Sequence, residues 1–464
     1  MTSLETLYLK MPPTVQNTLC SLQGWRIQQS RYGKQFYSFL DAAEHRTFWS
    51  VEKTKQYRDK RLHAFIQHAY ETVPFYRDHF QKTGILPEEI KTLEDLGKLP
   101  ILTKEEVQKQ YTKFVSTAIP DNKQIIAHTS GTTGGGLRFA TTTQASQEQW
   151  AIWWRYRRWH GLQTNAWCGY FGGRSVVPLP QNRPPFWRYN YPGRQILFSA
   201  YHMRPDNMIL YVNELRRSRP PWLHGYPSLL ALLASFMLEN GLELGYRIQW
   251  ITIGAENLLP QQIELMQRAF GVSPRQHYGM AEAVANFSEC EYGRLHVDED
   301  FAAVEFLPNP NGPGYKVIGT NFSNPATPLL RYDIQDLVTL ADSTCPCARP
   351  GRIVGSVDGR AEDYVILKNG ARLGRMDHIF KDSVNVREAQ IYQREIGQII
   401  IRIVRSTAYS DQDETELLQS IRRRTGNDTE IEIEYVAALA RSKTGKLRFV
   451  VSDIPEGQLK QAYQ

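Results

Sequence analysis

Apolar residues recur at helical spacing in the N-terminal region: Leu62, Phe65, Ile66 and Ala69 fall on one face of a helix, and Pro74 stops the run. Thr103-Lys104-Glu105-Glu106 has the form of a capping box and opens another helix. Strands are predicted over Gln124 to Ala127 and Leu137 to Thr142, with a Gly-rich loop between them that they would hold at a sheet edge. Beyond them the pattern alternates, with helix over Ser228 to Glu239, strand over Ile248 to Ile253 and helix over Gln261 to Phe270, as in an α/β domain. Between Leu295 and Leu340 it turns to strands broken by Gly/Pro turns such as Asn309-Pro310-Asn311-Gly312-Pro313-Gly314, a β-rich subdomain. A small α+β unit closes the chain, with strands near Gln398 to Val404 and Glu430 to Tyr435 around a helix near Glu414 to Arg424. No repeat or low-complexity segment interrupts this order.

The loop His128-Thr129-Ser130-Gly131-Thr132-Thr133-Gly134-Gly135-Gly136 packs hydroxyls and flexible backbone into one turn. Ser130, Thr132 and Thr133 offer hydroxyls, while Gly131 and Gly134 to Gly136 allow backbone N–H groups to converge on phosphate oxygens. The loop lacks the Lys-Ser/Thr ending of a Walker loop, which disfavours a P-loop NTPase. Taken alone, a Gly/Thr-rich surface turn explains it as well.

With 464 residues, 41% apolar and 22% charged, the chain is long enough for two or more domains and has an ordinary globular balance. It has no apolar run long enough to span a bilayer and no secretory pattern at Met1 to Lys10, so membrane insertion is not expected. Five cysteines without a disulfide framework fit a reducing, cytoplasmic setting. A net charge of +7 suits anionic small molecules such as ATP or CoA and does not by itself indicate nucleic acid. The string Trp150 to His160 interleaves cations and aromatics like a single-strand-binding surface. Its helical spacing favours a duller account, in which Trp150, Trp153 and Trp154, with Arg157 next on the same face, pack on the core and Arg155 and Arg158 lie elsewhere.

Five further motifs follow in order: Gly254-Ala255-Glu256, Tyr278-Gly279-Met280-Ala281-Glu282, Tyr332-Asp333-Ile334-Gln335-Asp336, Gly359-Arg360-Ala361-Glu362-Asp363 and Lys443-Thr444-Gly445-Lys446. Together with the Gly-rich loop and the stretch His68 to Tyr76, they resemble the adenylate-forming enzymes. The nearest likeness is to the phenylacetate-CoA ligase and CapK-like branch, which includes the deazaflavin-adenylating synthetases, and it covers most of the chain. The resemblance implies an adenylate-forming ligase fold, with an AMP-binding domain over residues 1–361 and a small mobile domain over 362–464.

The resemblance also implies roles. Lys446 would neutralise the adenylation transition state as a mobile point charge, with Lys443 a competitor in register. Glu282 would help hold Mg²⁺, whose preference for oxygen suits a carboxylate, and Thr132 would act on the phosphates with Ser130, Gly131, Thr133 and Gly134. Tyr278 and Gly279 would meet adenine, and Gly254, Ala255 and Glu256 would line the base. Asp336 would accept from the ribose hydroxyls, Arg360 would reach ribose or phosphate, and Glu362 would be the hinge. The chain departs from the family at Gly136 and Leu137, where many members carry Pro-Lys, and at Ala281, where Thr is usual; Arg138 stands next to Leu137.

Cys290, His296, Cys345 and Cys347 form a Cys₃His set suited to a closed, structural zinc site, against the alternative of incidental buried cysteines. The aromatic-glycine stretch Trp167, Tyr170, Phe171, Gly172 and Gly173, with Trp187, Tyr189 and Tyr191, would line an acyl pocket or pack in the core.

The expected function is ATP- and Mg²⁺-dependent adenylation of a carboxylic acid, aromatic or apolar, followed by transfer to a thiol such as CoA. Rival expectations are an amine or hydroxyl acceptor, transfer of AMP itself, a non-catalytic nucleotide-binding protein, and a single-stranded nucleic-acid binder.

Overall fold

Runs rich in Ile, Val, Trp and Phe become strands, and the amphipathic stretches between them become helices. The computed structural model describes residues 7–8, 10–128, 137–172, 174, 176–178, 180–310, 313–341, 344–360, 364–368, 372–374, 385–426, 428–441 and 447–454. Two compact units result: Met1–Gly24, Asn165–Arg275 and Asp358–Gln464 make the first, Trp25–Thr164 and Gln276–Val357 the second.

In the first unit, Trp250–Ile253, Trp222–Gly225, Cys168–Gly172 and Gln195–Ser199 lie side by side in that order as parallel strands, and Trp187–Asn190 adds antiparallel to the last. Helices Pro205–Ser218, Pro227–Glu239 and Pro260–Phe270 accompany them. Each opens on proline, whose missing N–H is no loss in a first turn. Leu229, Leu230 and Leu233 of the second helix join Phe171, Phe198 and Ile251 in one core. This is the α/β pattern expected from the sequence, and its strands read as near-continuous apolar runs because both faces are covered.

The C-terminal part of the same unit is a four-stranded sheet in the order Glu430–Tyr435, Gln398–Arg405, Val386–Gln393, Val450–Ser452. Helix Asp411–Thr425 contributes Leu417 and Ile421 to the core formed with Ile391 and Ile401. Its start is fixed by Ser410, whose hydroxyl caps the N–H of Asp413.

In the second unit seven strands lie side by side, in the order Ala302–Pro308, Tyr315–Asn321, Tyr332–Leu340, Ile353–Arg360, Leu295–Val297, Asn286–Glu289, Arg275–Gly279. Its helices include Val51–Thr72, which ends before Pro74 as expected, and Pro74–Thr83, which that proline then starts. Strands Ile125–His128 and Arg138–Thr141 pair antiparallel, Ile125 opposite Thr141 and His128 opposite Arg138. They form a two-stranded sheet of their own. Both strands expected around the Gly-rich loop are thus present, and the second ends where Thr142 caps helix Thr143–Trp159.

That helix corrects a second expectation. Trp154 and Arg157 are buried, as the spacing implies, but so is Arg155. Arg155 donates to Asp298 Oδ1 and Asp300 Oδ2, both at 2.7 Å, and Arg46 donates to the same Asp300 oxygen at 2.6 Å. Of the cations that suggested a nucleic-acid surface, Arg155 is internal and neutralised by carboxylates from the loop before Ala302–Pro308, and the half-buried Arg158 pairs with Glu44 at 2.8 Å. Among the described residues no helix is long and apolar enough to cross a membrane.

Candidate functional site

In the second unit, strand Arg275–Gly279 carries Tyr278 beside Phe287 of the neighbouring antiparallel strand, and the two rings stack with centroids 4.6 Å apart. The Tyr278 hydroxyl donates to Asp336 Oδ2 at 2.6 Å. Gly279 is required by close approach, because a Cβ there would stand 2.6 Å from Asn286 Oδ1 and 3.2 Å from Trp153 Nε1, two atoms already hydrogen-bonded to each other. Past Gly279 the chain turns, and the turn is pinned through its carbonyls: Met280 accepts from Gln149 Nε2 at 2.6 Å and Glu282 from Asn321 Nδ2 at 3.0 Å. The Glu282 residue itself is only half-buried.

Asp336 lies on strand Tyr332–Leu340, and Asp333 organises the approach to it by accepting from Gln335 N at 2.9 Å and from Lys316 Nζ at 2.6 Å. Gln335 has φ 67°, and Ala283, next to Glu282, has φ 58°. Left-handed backbone at a residue with a Cβ costs on the order of 1–2 kcal/mol and persists where the surroundings over-determine it.

In the first unit, Gly254-Ala255-Glu256 follows directly on strand Trp250–Ile253, outside the carboxyl ends of the parallel strands where open α/β sheets bind ligands. Ala255 is again left-handed, at φ 69°. The Glu256 carboxylate is engaged by protein: Oε2 accepts from Ser228 N at 3.3 Å in the first turn of helix Pro227–Glu239, and Oε1 accepts from Leu447 N at 2.8 Å. A carboxylate at a helix N-terminus is also favoured by the helix dipole.

Ser130, Gly131, Thr132, Thr133, Gly134, Glu362 and Lys446 lie outside the described residues, as does the side chain of Arg360. Leu137, which follows the Gly-rich loop, is fully buried in the core formed with Leu62, Phe65 and Phe139. The Arg138 guanidinium sits 5.0 Å over the Tyr111 ring.

The aromatic-glycine stretch divides. Phe171 stacks on Phe198 with centroids 4.5 Å apart, and Trp187 packs on the same core. Tyr170 is half-buried beside His224, centroids 5.6 Å apart, and His224 Nδ1 lies 2.8 Å from Thr252 Oγ1. Period-2 alternation along the strand makes this split: Phe171 faces one side, Tyr170 the other.

The cysteine set comes together. The ligating atoms of Cys290, His296, Cys345 and Cys347 all lie within 4.8 Å of one another, with Cys290 Sγ 3.6 Å from Cys345 Sγ and Cys347 Sγ 3.3 Å from His296 Nε2. A tetrahedral ion with bonds of about 2.3 Å to sulfur sets its thiolates about 3.7 Å apart, so the spacing fits. Burial, with the Arg349 charge next, holds the His296 pKa below its ordinary value and so favours the neutral imidazole that metals bind. Arg349 N also donates to Cys347 Sγ at 3.5 Å.

Sequence reasoning passed over His277. It is enclosed by Trp153 and Tyr156, with ring centroids at 5.3 and 5.4 Å. Burial, and then Arg157, hold its pKa down to about 3. Its position one residue before Tyr278 was the available signal.

The CapK C-terminal domain family matches residues 366–453. Protein CapK of Staphylococcus aureus is 26% identical over 462 residues, which cover 97% of this chain and 100% of that protein. The phenylacetate-coenzyme A ligase of Pseudomonas putida is 24% identical over 69% of this chain and 73% of its own. A crystal structure of 2-hydroxyisobutyryl-CoA ligase in the postadenylation state, in complex with 2-HIB-AMP, shares the fold with a TM-score of 0.67 at 18% identity, covering 90% of this chain and 94% of that one. A likeness to CapK that runs through nearly all of the sequence, together with a match of its C-terminal part to the CapK C-terminal domain family, supports the adenylate-forming superfamily, in its CapK-like branch.

Proposed function

We propose that this protein is an ATP-dependent ligase that activates a carboxylic acid as its acyl-adenylate and passes the acyl group to a thiol, CoA being the expected acceptor. In the first half-reaction a carboxylate oxygen attacks the α-phosphorus of ATP and pyrophosphate leaves. In the second the thiol sulfur attacks the acyl carbon and AMP leaves. The observation that carries the reading is the Tyr278–Asp336 hydrogen bond, which joins the aromatic and the carboxylate of two separate motifs, the carboxylate standing next to left-handed Gln335. A carboxylate held at one oxygen by a phenol is pre-oriented for the hydroxyls of a ribose.

Each residue has a share. Tyr278 and Gly279, with Gly254 and Ala255, would receive the base, and Asp336 and Arg360 the ribose. Ser130, Gly131, Thr132, Thr133 and Gly134 would wrap the phosphates. Glu282, half-buried on its pinned turn, suits Mg²⁺, which would offset phosphate charge. Lys446 would come from a mobile domain over 362–464, turning at Glu362 between half-reactions. Tyr170 and His224 are the aromatic residues best placed for an apolar or planar acid, since Phe171 and Trp187 are committed to the core. Cys290, His296, Cys345 and Cys347 would hold one structural zinc ion. All five cysteines are unbridged, which supports a reducing, cytoplasmic setting.

A second reading has its own observation. Leu137 is buried where a cation is usual, which favours weak triphosphate handling and so nucleotide binding without turnover, or transfer of AMP itself. ATP–pyrophosphate exchange across a panel of carboxylic acids, with and without CoA, separates the two. Acid-dependent exchange, abolished in Lys446→Ala, is expected; absence of exchange with every acid would overturn the ligase reading.

A further inference from the structure

Glu282 sits within the second unit on a turn that is strained and held from two sides. Ala283, which follows it, is left-handed at φ 58°, a conformation that a residue with a Cβ keeps only where its surroundings over-determine it. Helix Thr143–Trp159 holds one side, through Gln149 Nε2 donating to the Met280 carbonyl at 2.6 Å. Strand Tyr315–Asn321 holds the other, at residues 319 and 321, which lie on one face of it. A Cβ on Gly319 would stand 2.3 Å from the Val284 carbonyl oxygen, so the far end of the turn docks only against glycine. Two positions on, Asn321 Nδ2 donates to the Glu282 carbonyl at 3.0 Å.

Asn321 is fully buried, and the other atom of its amide meets a different motif. Oδ1 accepts from Leu329 N at 3.4 Å, and the Asn321 backbone N–H donates to the Leu329 carbonyl at 3.2 Å. The next two N–H groups also go to side chains: Leu330 N donates to the Tyr76 hydroxyl at 2.9 Å and Arg331 N to Thr320 Oγ1 at 2.8 Å. These residues lead directly into strand Tyr332–Leu340, which carries Asp336. One planar group with a donor and an acceptor thus joins the backbone of Glu282 to the approach to Asp336. Its burial makes both partners depend on it, because a buried N–H or carbonyl left unpaired is costly.

We propose that Asn321 is a positioning residue for adenylation, fixing the direction from which the Glu282 carboxylate meets Mg²⁺ relative to Asp336, with Gln149 as its counterpart across the turn. This rests on the reading of Glu282 as a Mg²⁺ ligand given above. It assigns a task to an asparagine outside the motifs that suggested the site.

Titration calorimetry of ATP, with no acid present, tests it without turnover. The quantity read is the ratio of ATP affinity in excess Mg²⁺ to ATP affinity in EDTA. Asn321→Leu, which keeps most of the shape and removes both side-chain bonds, should lower that ratio by up to about 10-fold, as for the loss of a group that orients a metal ligand. AMP affinity in EDTA should fall much less. Gln149→Leu, on the half-buried side of the turn, should lower the ratio by a smaller factor, and it carries the test if Asn321→Leu does not fold. A folded variant that loses ATP and AMP affinity together while the ratio stays at the wild-type value would overturn the proposal. A wild type that binds ATP equally with and without Mg²⁺ would overturn the Mg²⁺ role of Glu282 and the proposal with it. A wild type with Mg²⁺-dependent binding but no pyrophosphate exchange for any acid would sink the ligase reading alone.

Discussion

Tyr278 and Asp336, 58 positions apart, meet through a 2.6 Å hydrogen bond from the phenol to Oδ2. The bond fixes one carboxylate oxygen and the plane of the ring together. Asp336→Ala is expected to weaken ATP binding about 10-fold or more, because hydrogen bonds to a charged acceptor are worth roughly 1.5–3 kcal/mol each. Tyr278→Phe, which keeps the ring and its stacking on Phe287, should cost less than Asp336→Ala. Titration calorimetry with ATP measures both; identical affinity in wild type and Asp336→Ala would remove Asp336 from the site.

His277 makes stability depend on pH. Its folded pKa is held down to about 3 by burial and then Arg157, against about 6.5 in an unfolded chain. Between those values the unfolded chain binds a proton that the folded one does not. The stability is therefore fully present above about 6.5 and is lost as pH falls toward 3, by at most ~1.4 kcal/mol per pH unit from this group. Asp298, pushed up to about 6 by burial against the pull of Arg155, works in the opposite sense. The comparison that isolates His277 is urea denaturation of wild type and His277→Gln at pH 7 and pH 5. A smaller drop in the variant is expected, and equal drops would refute the assignment.

Helix Thr143–Trp159 should prove a core element. Trp154→Ala is expected to destabilise by roughly 3–5 kcal/mol through the cavity it leaves. Arg155→Met should cost a similar ~3–5 kcal/mol, because Asp298 and Asp300 would each lose the shared guanidinium in a buried setting. Denaturant unfolding reads both, and salt-sensitive binding of single-stranded DNA, absent on this view, is read by fluorescence anisotropy.

Protein purified without chelator should carry about one equivalent of zinc on Cys290, His296, Cys345 and Cys347. Removing the ion should lower thermal stability first and activity only as a consequence, since thiolate binding is coupled to folding. Cys345→Ser should lose most of the metal. Elemental analysis beside a melting curve decides: metal-free protein with an unchanged melting temperature would exclude the site.

Period and punctuation made much of the fold legible. The helix ending at Glu239 and the strand Glu430–Tyr435 are bounded by Pro, Asn and Asp residues that leave little freedom of register. The cysteine set could be read because its ligand types are rare. Arg155 was misread because a charge on an amphipathic helix ordinarily faces water, and its partners Asp298 and Asp300 lie over 140 positions away. The engagement of Glu256 by Leu447 was hidden for the same reason, at a separation of 191. Backbone strain at Ala255, Ala283 and Gln335 was invisible because none of these residues is the glycine or asparagine that advertises a left-handed turn.

Those three positions set a trap for anyone seeking a hardier version of the protein. Glycine at Ala255, Ala283 or Gln335 would relieve a steric penalty of about 1 kcal/mol apiece, so a thermal screen would select such changes readily. Each sits beside Glu256, Glu282 or Asp336. A variant collection ranked by melting temperature alone would thus gather, among its best performers, chains whose most consequential carboxylates have been set loose.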